Sequence, residues 1–321
     1  MANIYESKGV VLSIIIPTKN RPDLLKRAVQ SVLAQDYINF EICIVDNNTD
    51  IVESNITANI VNQYQIDYPN LNWLYIHSQK THASGARNDG IFATKGKYIA
   101  FLDDDDEFLS ESLKIRVNEL EKETDITLLY CAGYSLIYPY PIKMYRYYKY
   151  NKQLHKDRLK MMSCSSIIIN RKMLEQYELY FDEEQSRMDD YDLCKRIIEL
   201  GLKVKSIPQP LILHHLHPKT RISSNSVLNY HFKDILIKRW GKTTEEYIYK
   251  YVEGVYLWRN CFSIENQNLT DVKKELKISF NREPTLTYKL KFWISATNPL
   301  LYLAFYHVSV QLSQWYQNTF K

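Results

Sequence analysis

Apolar residues along the first hundred positions fall into blocks separated by polar clusters. Val10–Ile16 is an apolar, β-branched run, the pattern of a strand covered on both faces. Pro17 is expected to end it. Pro22 and Asp23 then open a helix, because proline fits a first turn and an acid suits the positive end of the helix dipole. Leu25, Val29 and Leu33 recur at helical spacing in that segment. Glu41–Val45, Trp73–Ile76 and Tyr98–Leu102 give three further strands, and Ala83–Ala93 a helix. This rhythm predicts an α/β fold with a mainly parallel, twisted sheet and helices on both faces. Ligands of such sheets bind beyond the carboxyl ends of the strands, where strand order switches. Three polar clusters fall at those ends: Thr18-Lys19-Asn20-Arg21, Asp46-Asn47-Asn48 and Asp103-Asp104-Asp105-Asp106.

The middle of the chain is less regular. Ile126–Tyr134, Ile137–Tyr147 and Ser163–Asn170 are expected as strands, the last passing into a short helix from Arg171. Asp190–Leu200 is a helix pattern stopped by Gly201. Val204–Ile207 and Leu211–Leu213 are expected as two short strands around Pro208 and Pro210. After about Ser223 the pattern becomes helical and rich in Tyr, Lys and Glu, and no acidic residue follows Glu283. The boundary is placed between residues 1–225 and a helical region, 226–321. The apolar stretch Pro299–Val310 is interrupted by Asn298-Pro299, His307 and Ser309, so it is too broken to span a bilayer. It suits a helix lying in a membrane interface, a helical cap on the first domain, or a dimer surface.

Composition narrows the setting. Net charge is only +4, too small to argue for nucleic acid as a partner. The 5 cysteines are odd in number, dispersed and without a C-x-x-C, which favours a reducing, cytoplasmic compartment over a disulfide framework or zinc site. Val10–Pro17 follows Lys8 but lacks a small-residue cleavage site, so it is a strand and not a leader.

Four constellations carry chemistry. A run of acids is most often a solvated surface. Asp103 to Asp106, however, directly follow a buried strand at the ligand edge, where crowded like charges call for a cation. Carboxylate oxygens select hard ions such as Mg²⁺ or Mn²⁺, which bridge protein to diphosphate. Asp189, Asp190 and Asp192 open a helix and exceed what capping needs, which offers a carboxylate able to take a proton from a hydroxyl; Asp190 is the candidate. His214, His215 and His217, with Lys219 and Arg221, offer metal ligands or a phosphate grip, against the plainer reading of a polar loop. In Ala83-Ser84-Gly85-Ala86-Arg87-Asn88, Arg87 either pairs with a nucleotide or orients the acidic run.

Together, the segments LSIIIPTKNR (12–21), EICIVDNNTD (41–50), ASGARNDGIFATKGKYIAFLDDDDEF (83–108), FDEEQSRMDDYDLCKRI (181–197) and HLHPKTRISSN (215–225) resemble the inverting GT-A glycosyltransferases of family 2. The resemblance covers roughly residues 10–225 and implies roles. Pro17, Thr18, Arg21 and Arg87 would lie at the nucleotide, with Asp46 on the base, most often uracil. Asp103 and Asp105 match a D-x-D motif, with Asp105 as the main metal ligand. Asp103 or Asp104 would meet the ribose or metal-bound water, and Asp106 is left without a role. Asp190 matches the catalytic base, and His217 a histidine near metal and diphosphate. The chain departs from the pattern at Asp189, where a glutamate is usual, at His215, often an arginine, and at Asn47-Asn48. Four successive acids also leave the D-x-D register open by one residue.

The expected reaction is transfer of a sugar from a nucleotide-sugar, most often a UDP-sugar, to a hydroxyl of a saccharide or lipid-linked saccharide. It would proceed by metal-assisted single displacement in surface polysaccharide or glycolipid assembly. The setting would be cytoplasmic, peripheral to the membrane through the tail, or a homodimer. Two other classes share parts of the pattern. A sugar-phosphate nucleotidyltransferase would carry a glycine-rich loop after the first strand, and Pro17-Thr18-Lys19-Asn20 has none. A non-catalytic nucleotide-sugar-binding protein would not need the second acidic site.

Overall fold

The computed structural model describes residues 10–80, 82–138, 142–147, 150, 163–185, 187–216, 231–241 and 285–320, together with 244–246, 248–250, 252, 253, 257, 273 and 277. The chain divides into two units: Met1–Ser135 with Tyr145–His215, and Leu136–Met144 with Leu216–Lys321.

The first unit begins with the anticipated alternation. β1 (Leu12–Thr18), β2 (Phe40–Asp46) and β4 (Tyr98–Phe101) are buried at every position, as their unbroken apolar runs require, and β3 (Asn72–His77) lies at the sheet edge. All four are parallel in the order β3-β2-β1-β4. Between them run α1 (Pro22–Leu33), α2 (Ile51–Asp67) and α3 (Ala83–Ala93). Leu25, Ala28, Val29 and Val32 of α1 are buried against Leu12, Ile14, Ile16 and Ile42 in one core cluster. α2 buries Ser54, Thr57 and Val61 and exposes Ile51, Val52, Ile56 and Ile66. Its apolar positions thus give no helical signal, and Asp50 marks its start by accepting from the N–H groups of Val52 and Glu53.

Pro17 does not end β1. It stays in register with Val45 of β2, and the strand continues to Thr18. Thr18 turns its carbonyl to β2, accepting from the Asn47 N–H, whereas Ile15 turns its carbonyl to β4, accepting from Leu102. Pro17 shares the facing of Ile15, and the pairing with β4 stops at Ile15. The missing N–H therefore removes no ladder bond.

Beyond β4 the sheet turns antiparallel. β5 (Asp106–Phe108), α4 (Ser112–Lys122), β6 (Leu128–Ile137), β7 (Ile142–Arg146), a short 3₁₀ turn (Cys164–Ser166), β8 (Ile167–Asn170), α5 (Arg171–Gln176), α6 (Asp189–Glu199) and β9 (Val204–Leu216) follow. The order continues β4-β8-β6-β9-β5. β8 is antiparallel to β4 and β6, and β5 to β9. The two short strands expected around Pro208 and Pro210 are one strand, because a fixed proline φ is compatible with extended backbone and Pro208 and Gln209 lie exposed.

A clasp closes the amino ends of the parallel strands. Glu41 Oε1 accepts from the Ser13 hydroxyl at 2.6 Å and from the N–H groups of Lys95 at 2.6 Å and Gly96 at 2.9 Å. Arg171 joins it by donating to the carbonyls of Gly96 and Ile91 and to Thr94. A side chain at Gly96 would place its Cβ 2.5 Å from the Ser13 nitrogen, so the close approach requires glycine.

In the second unit, α7 (His231–Trp240), α8 (Leu286–Thr297) and α9 (Pro299–Phe320) are helical. Only Asn298-Pro299 interrupts the tail. Asn298 accepts from the Leu301 N–H and caps α9, and Pro299 takes its first position, while His307 and Ser309 are absorbed within the helix. Ile137, Met144 and Leu303 form a small core. Among the described residues no helix is long and apolar enough to cross a membrane.

Candidate active site

The three polar clusters project from the carboxyl ends of β1, β2 and β4. At β4 the four acids separate by direction. Asp104 is wholly buried: it accepts from the Thr18 hydroxyl at 2.8 Å and pairs with Arg21 at 2.8 Å. Burial pushes its carboxyl up to about 7, with Arg21 opposing and Asp105 adding to the rise. Asp105 pairs with the other arm of Arg21 at 3.2 Å, and its carbonyl accepts from Arg27 at 2.7 Å. Asp106 lies in β5, accepting from the Ser165 hydroxyl at 2.6 Å and the His215 N–H at 3.3 Å. Asp103 pairs with Arg87 at 2.7 Å.

Carboxylate oxygens of Asp103, Asp105 and Asp106 all lie within 4.8 Å of one another, and Asp104 stands outside the group. An all-oxygen donor set of this kind suits a hard divalent cation. Asp106, to which the sequence assigned nothing, belongs to it.

Arg87 links this cluster to the second acidic site. It is buried in α3 beneath the Phe181 ring, with its guanidinium carbon 5.5 Å from the ring centre. One nitrogen donates to Asp103 and the other to Asp189, each at 2.7 Å. Asp189 and Asp190 open α6, and Asp190 accepts from the Tyr191 N–H at 2.7 Å. Burial pushes the Asp190 carboxyl up to about 7, helped by the neighbouring Asp189 charge and opposed by Arg87. A partly protonated carboxyl beside a cation-ready cluster can exchange a proton near neutral pH.

The Asp46 site is closed. Its carboxyl is fully buried and accepts from the Asn48 N–H at 2.8 Å and from the Ser54 and Tyr75 hydroxyls at 2.6 Å each. His77 Nδ1 lies 3.0 Å from the Ser54 oxygen and 3.5 Å from Asp46. His215 is buried in β9, with Nε2 2.5 Å from Glu107. That contact, helped by the nearby Arg27 charge and opposed by burial, leaves the Glu107 carboxyl below its ordinary range. His217, Lys219 and Arg221 lie outside the described residues.

Sequence reasoning passed over Ser165, Arg27, Glu107, Ser54, Tyr75 and His77. Ser165 donates to Asp106 and accepts from the Asp103 N–H at 3.0 Å, yet stands some sixty positions along the chain. Only the hydroxyls and His77 around Asp46 left a signal, in the polar positions of α2 and β3.

Comparison with known proteins agrees with this architecture. Residues 13–178 match the model of Glycosyl transferase family 2. The chain is 30% identical over 225 residues to "Putative colanic acid biosynthesis glycosyl transferase WcaA" of Escherichia coli K12, covering 67% of this chain and 76% of that protein. It is 28% identical over 218 residues to the amylovoran biosynthesis glycosyltransferase AmsB of Erwinia amylovora, covering 65% and 71%. Among solved structures, S. aureus TarS 1–349 in complex with UDP-GlcNAc superimposes with a TM-score of 0.60 at 19% identity, covering 89% of this chain and 81% of that one. With its parallel strands feeding an acidic cluster at their carboxyl ends, the chain belongs to glycosyl transferase family 2 and is a glycosyltransferase of the GT-A fold.

Proposed function

We propose that the chain transfers a glycosyl group from a UDP-sugar to a hydroxyl of a saccharide or lipid-linked saccharide, with inversion at the anomeric carbon. The observation that carries this reading is the fork of Arg87, which holds a three-carboxylate cluster and the Asp189-Asp190 pair side by side. UDP is favoured because the TarS structure holds UDP-GlcNAc, and polysaccharide assembly because AmsB and WcaA are named for amylovoran and colanic acid biosynthesis.

Asp105, Asp103 and Asp106 would hold Mg²⁺ or Mn²⁺. Such an ion, when bound, supplies positive charge to the diphosphate that leaves. Thr18 and Arg21, which follow Pro17 at the end of β1, fix Asp104 and Asp105 on the nucleotide side. Asp190 accepts the proton of the acceptor hydroxyl. The hydroxyl oxygen bonds to the anomeric carbon on one face as the bond to the diphosphate oxygen breaks on the other. Arg87 keeps Asp103 and Asp189 compensated throughout. His217 keeps the role near metal and diphosphate implied by the family pattern, Lys219 and Arg221 serve as a phosphate grip, and His215 acts through Glu107.

Residues 1–225 make the catalytic domain in this reading, and 226–321 a region that rests on the cytoplasmic membrane face. Leu286, Leu290 and Trp293 of α8, and Leu301, Phe305, Val308 and Leu312 of α9, are exposed at helical spacing. Lys289 and Lys291 accompany them, without an acid after Glu283.

The test is incubation of the purified chain with a panel of UDP-, GDP- and CDP-sugars and Mn²⁺, with and without saccharide acceptors. Acceptor-dependent release of UDP, with an inverted linkage by NMR, is expected. Release of pyrophosphate, or of no nucleotide, would sink the reading.

A further inference from the structure

Lys19, Asn48, Thr49, His77, Ser78 and Lys80 border a cavity of about 300 Å³ at the carboxyl ends of β1, β2 and β3. That volume lies at the lower end of small-molecule pockets. Asp46 is absent from its lining and wholly buried behind it.

The hydrogen-bond pattern behind the cavity fixes one histidine. Ser54 donates its hydroxyl proton to Asp46 at 2.6 Å, and Tyr75 donates to the same oxygen at 2.6 Å. Tyr75 keeps its proton, because burial and the bond to Asp46 push its hydroxyl up to about 12. With its proton committed, the Ser54 oxygen can only accept from His77 Nδ1, 3.0 Å away. In the neutral imidazole His77 Nδ1 therefore carries the proton, and Nε2 the lone pair.

We infer that His77, and not Asp46, reads the nucleobase, and that Asp46 is a positioning residue that sets the His77 tautomer through Ser54. The inference rests on the proposed nucleotide-sugar reading and adds the selecting chemistry. An imidazole acceptor matches a base that presents a ring N–H, as uracil and guanine do. Cytosine presents a ring lone pair at the equivalent position of a pyrimidine, and two acceptors then face each other.

Calorimetric binding of UDP, GDP and CDP in Mn²⁺ tests this with the full chain. Wild type is expected to favour a ring N–H base over CDP by about tenfold, the size of one well-placed hydrogen bond. GDP binding better than UDP would name guanine as the source within the same chemistry. His77→Ala should bring the UDP to CDP ratio towards one, while His77→Gln, whose amide oxygen still accepts, should keep it. Ser54→Ala should lower the ratio of UDP to CDP affinity, which a purely structural role would not do. An unchanged ratio in His77→Ala, or no preference in wild type, overturns the inference and leaves the transferase reading standing. Failure of wild type to bind any of the three overturns both.

Discussion

Arg87 donates to Asp189 at 2.7 Å with one arm of the guanidinium whose other arm holds Asp103. A lysine could neutralise one of these carboxylates but cannot span both in a plane. Arg87→Ala should destabilise the fold by about 3–5 kcal/mol, since it strands two largely buried carboxylates. Arg87→Lys should keep part of that stability and lose most activity. Urea unfolding and donor turnover measured on the same preparations separate the two effects.

Asp190→Asn should lower turnover by ~10²–10⁴-fold, the usual worth of a general base, with UDP affinity retained. The variant should also melt higher than wild type near pH 8. The Asp190 pKa is raised from 3.8 to about 7, so the folded chain holds this proton more tightly than the unfolded one. Its contribution to stability is therefore present below about pH 4 and lost as pH rises through about 7. Near-normal turnover in the variant would remove Asp190 from the role.

The same shift predicts a pH profile. Turnover should rise with pH through an inflection near 7, as the Asp190 carboxyl loses its proton and becomes able to accept another. Asp189→Asn should move that inflection down, because a like charge that raises the value is gone. An inflection that stays in place in Asp189→Asn would place the titrating group elsewhere.

Asp105→Ala should abolish the effect of Mn²⁺ on UDP affinity, and Asp104→Asn should leave that effect in place. Asp104 faces Thr18 and Arg21, away from the oxygens grouped by Asp103, Asp105 and Asp106. Calorimetry with and without chelator distinguishes them, and equal loss in both variants would reject this division.

Leu290→Glu combined with Trp293→Glu should reduce co-flotation with vesicles containing anionic lipid, with solution activity kept on a soluble acceptor. Both residues are more than half exposed on α8, at 57% and 63%. Unchanged flotation would point instead to a protein partner for this face.

The parallel half of the sheet was legible because β1, β2 and β4 are buried on both faces, with β1 and β2 rich in β-branched residues and β4 in aromatic ones. α2 was not, since it turns Ser54 and Thr57 inward and needs their hydroxyls there. β5 was not, because Asp106-Glu107-Phe108 has no strand character of its own and is held by pairing with Ile212–His214. Likewise, the acidic run was visible as a cluster, but its division by direction depends on Ser165, Arg27 and Arg87, which the fold delivers from distant positions.

The Glu41 clasp gives the sheet an anchored end and a variable end. Glu41 and Arg171 lock the starts of the strands through the Ser13 hydroxyl and the backbone of Gly96, which no side-chain exchange at the other end disturbs. Loops beyond Asp46 and His77 can then be swapped for those of another chain, to alter donor choice, without loss of strand register. Gly96→Ala, far from any substrate, is the change this scaffold should tolerate least.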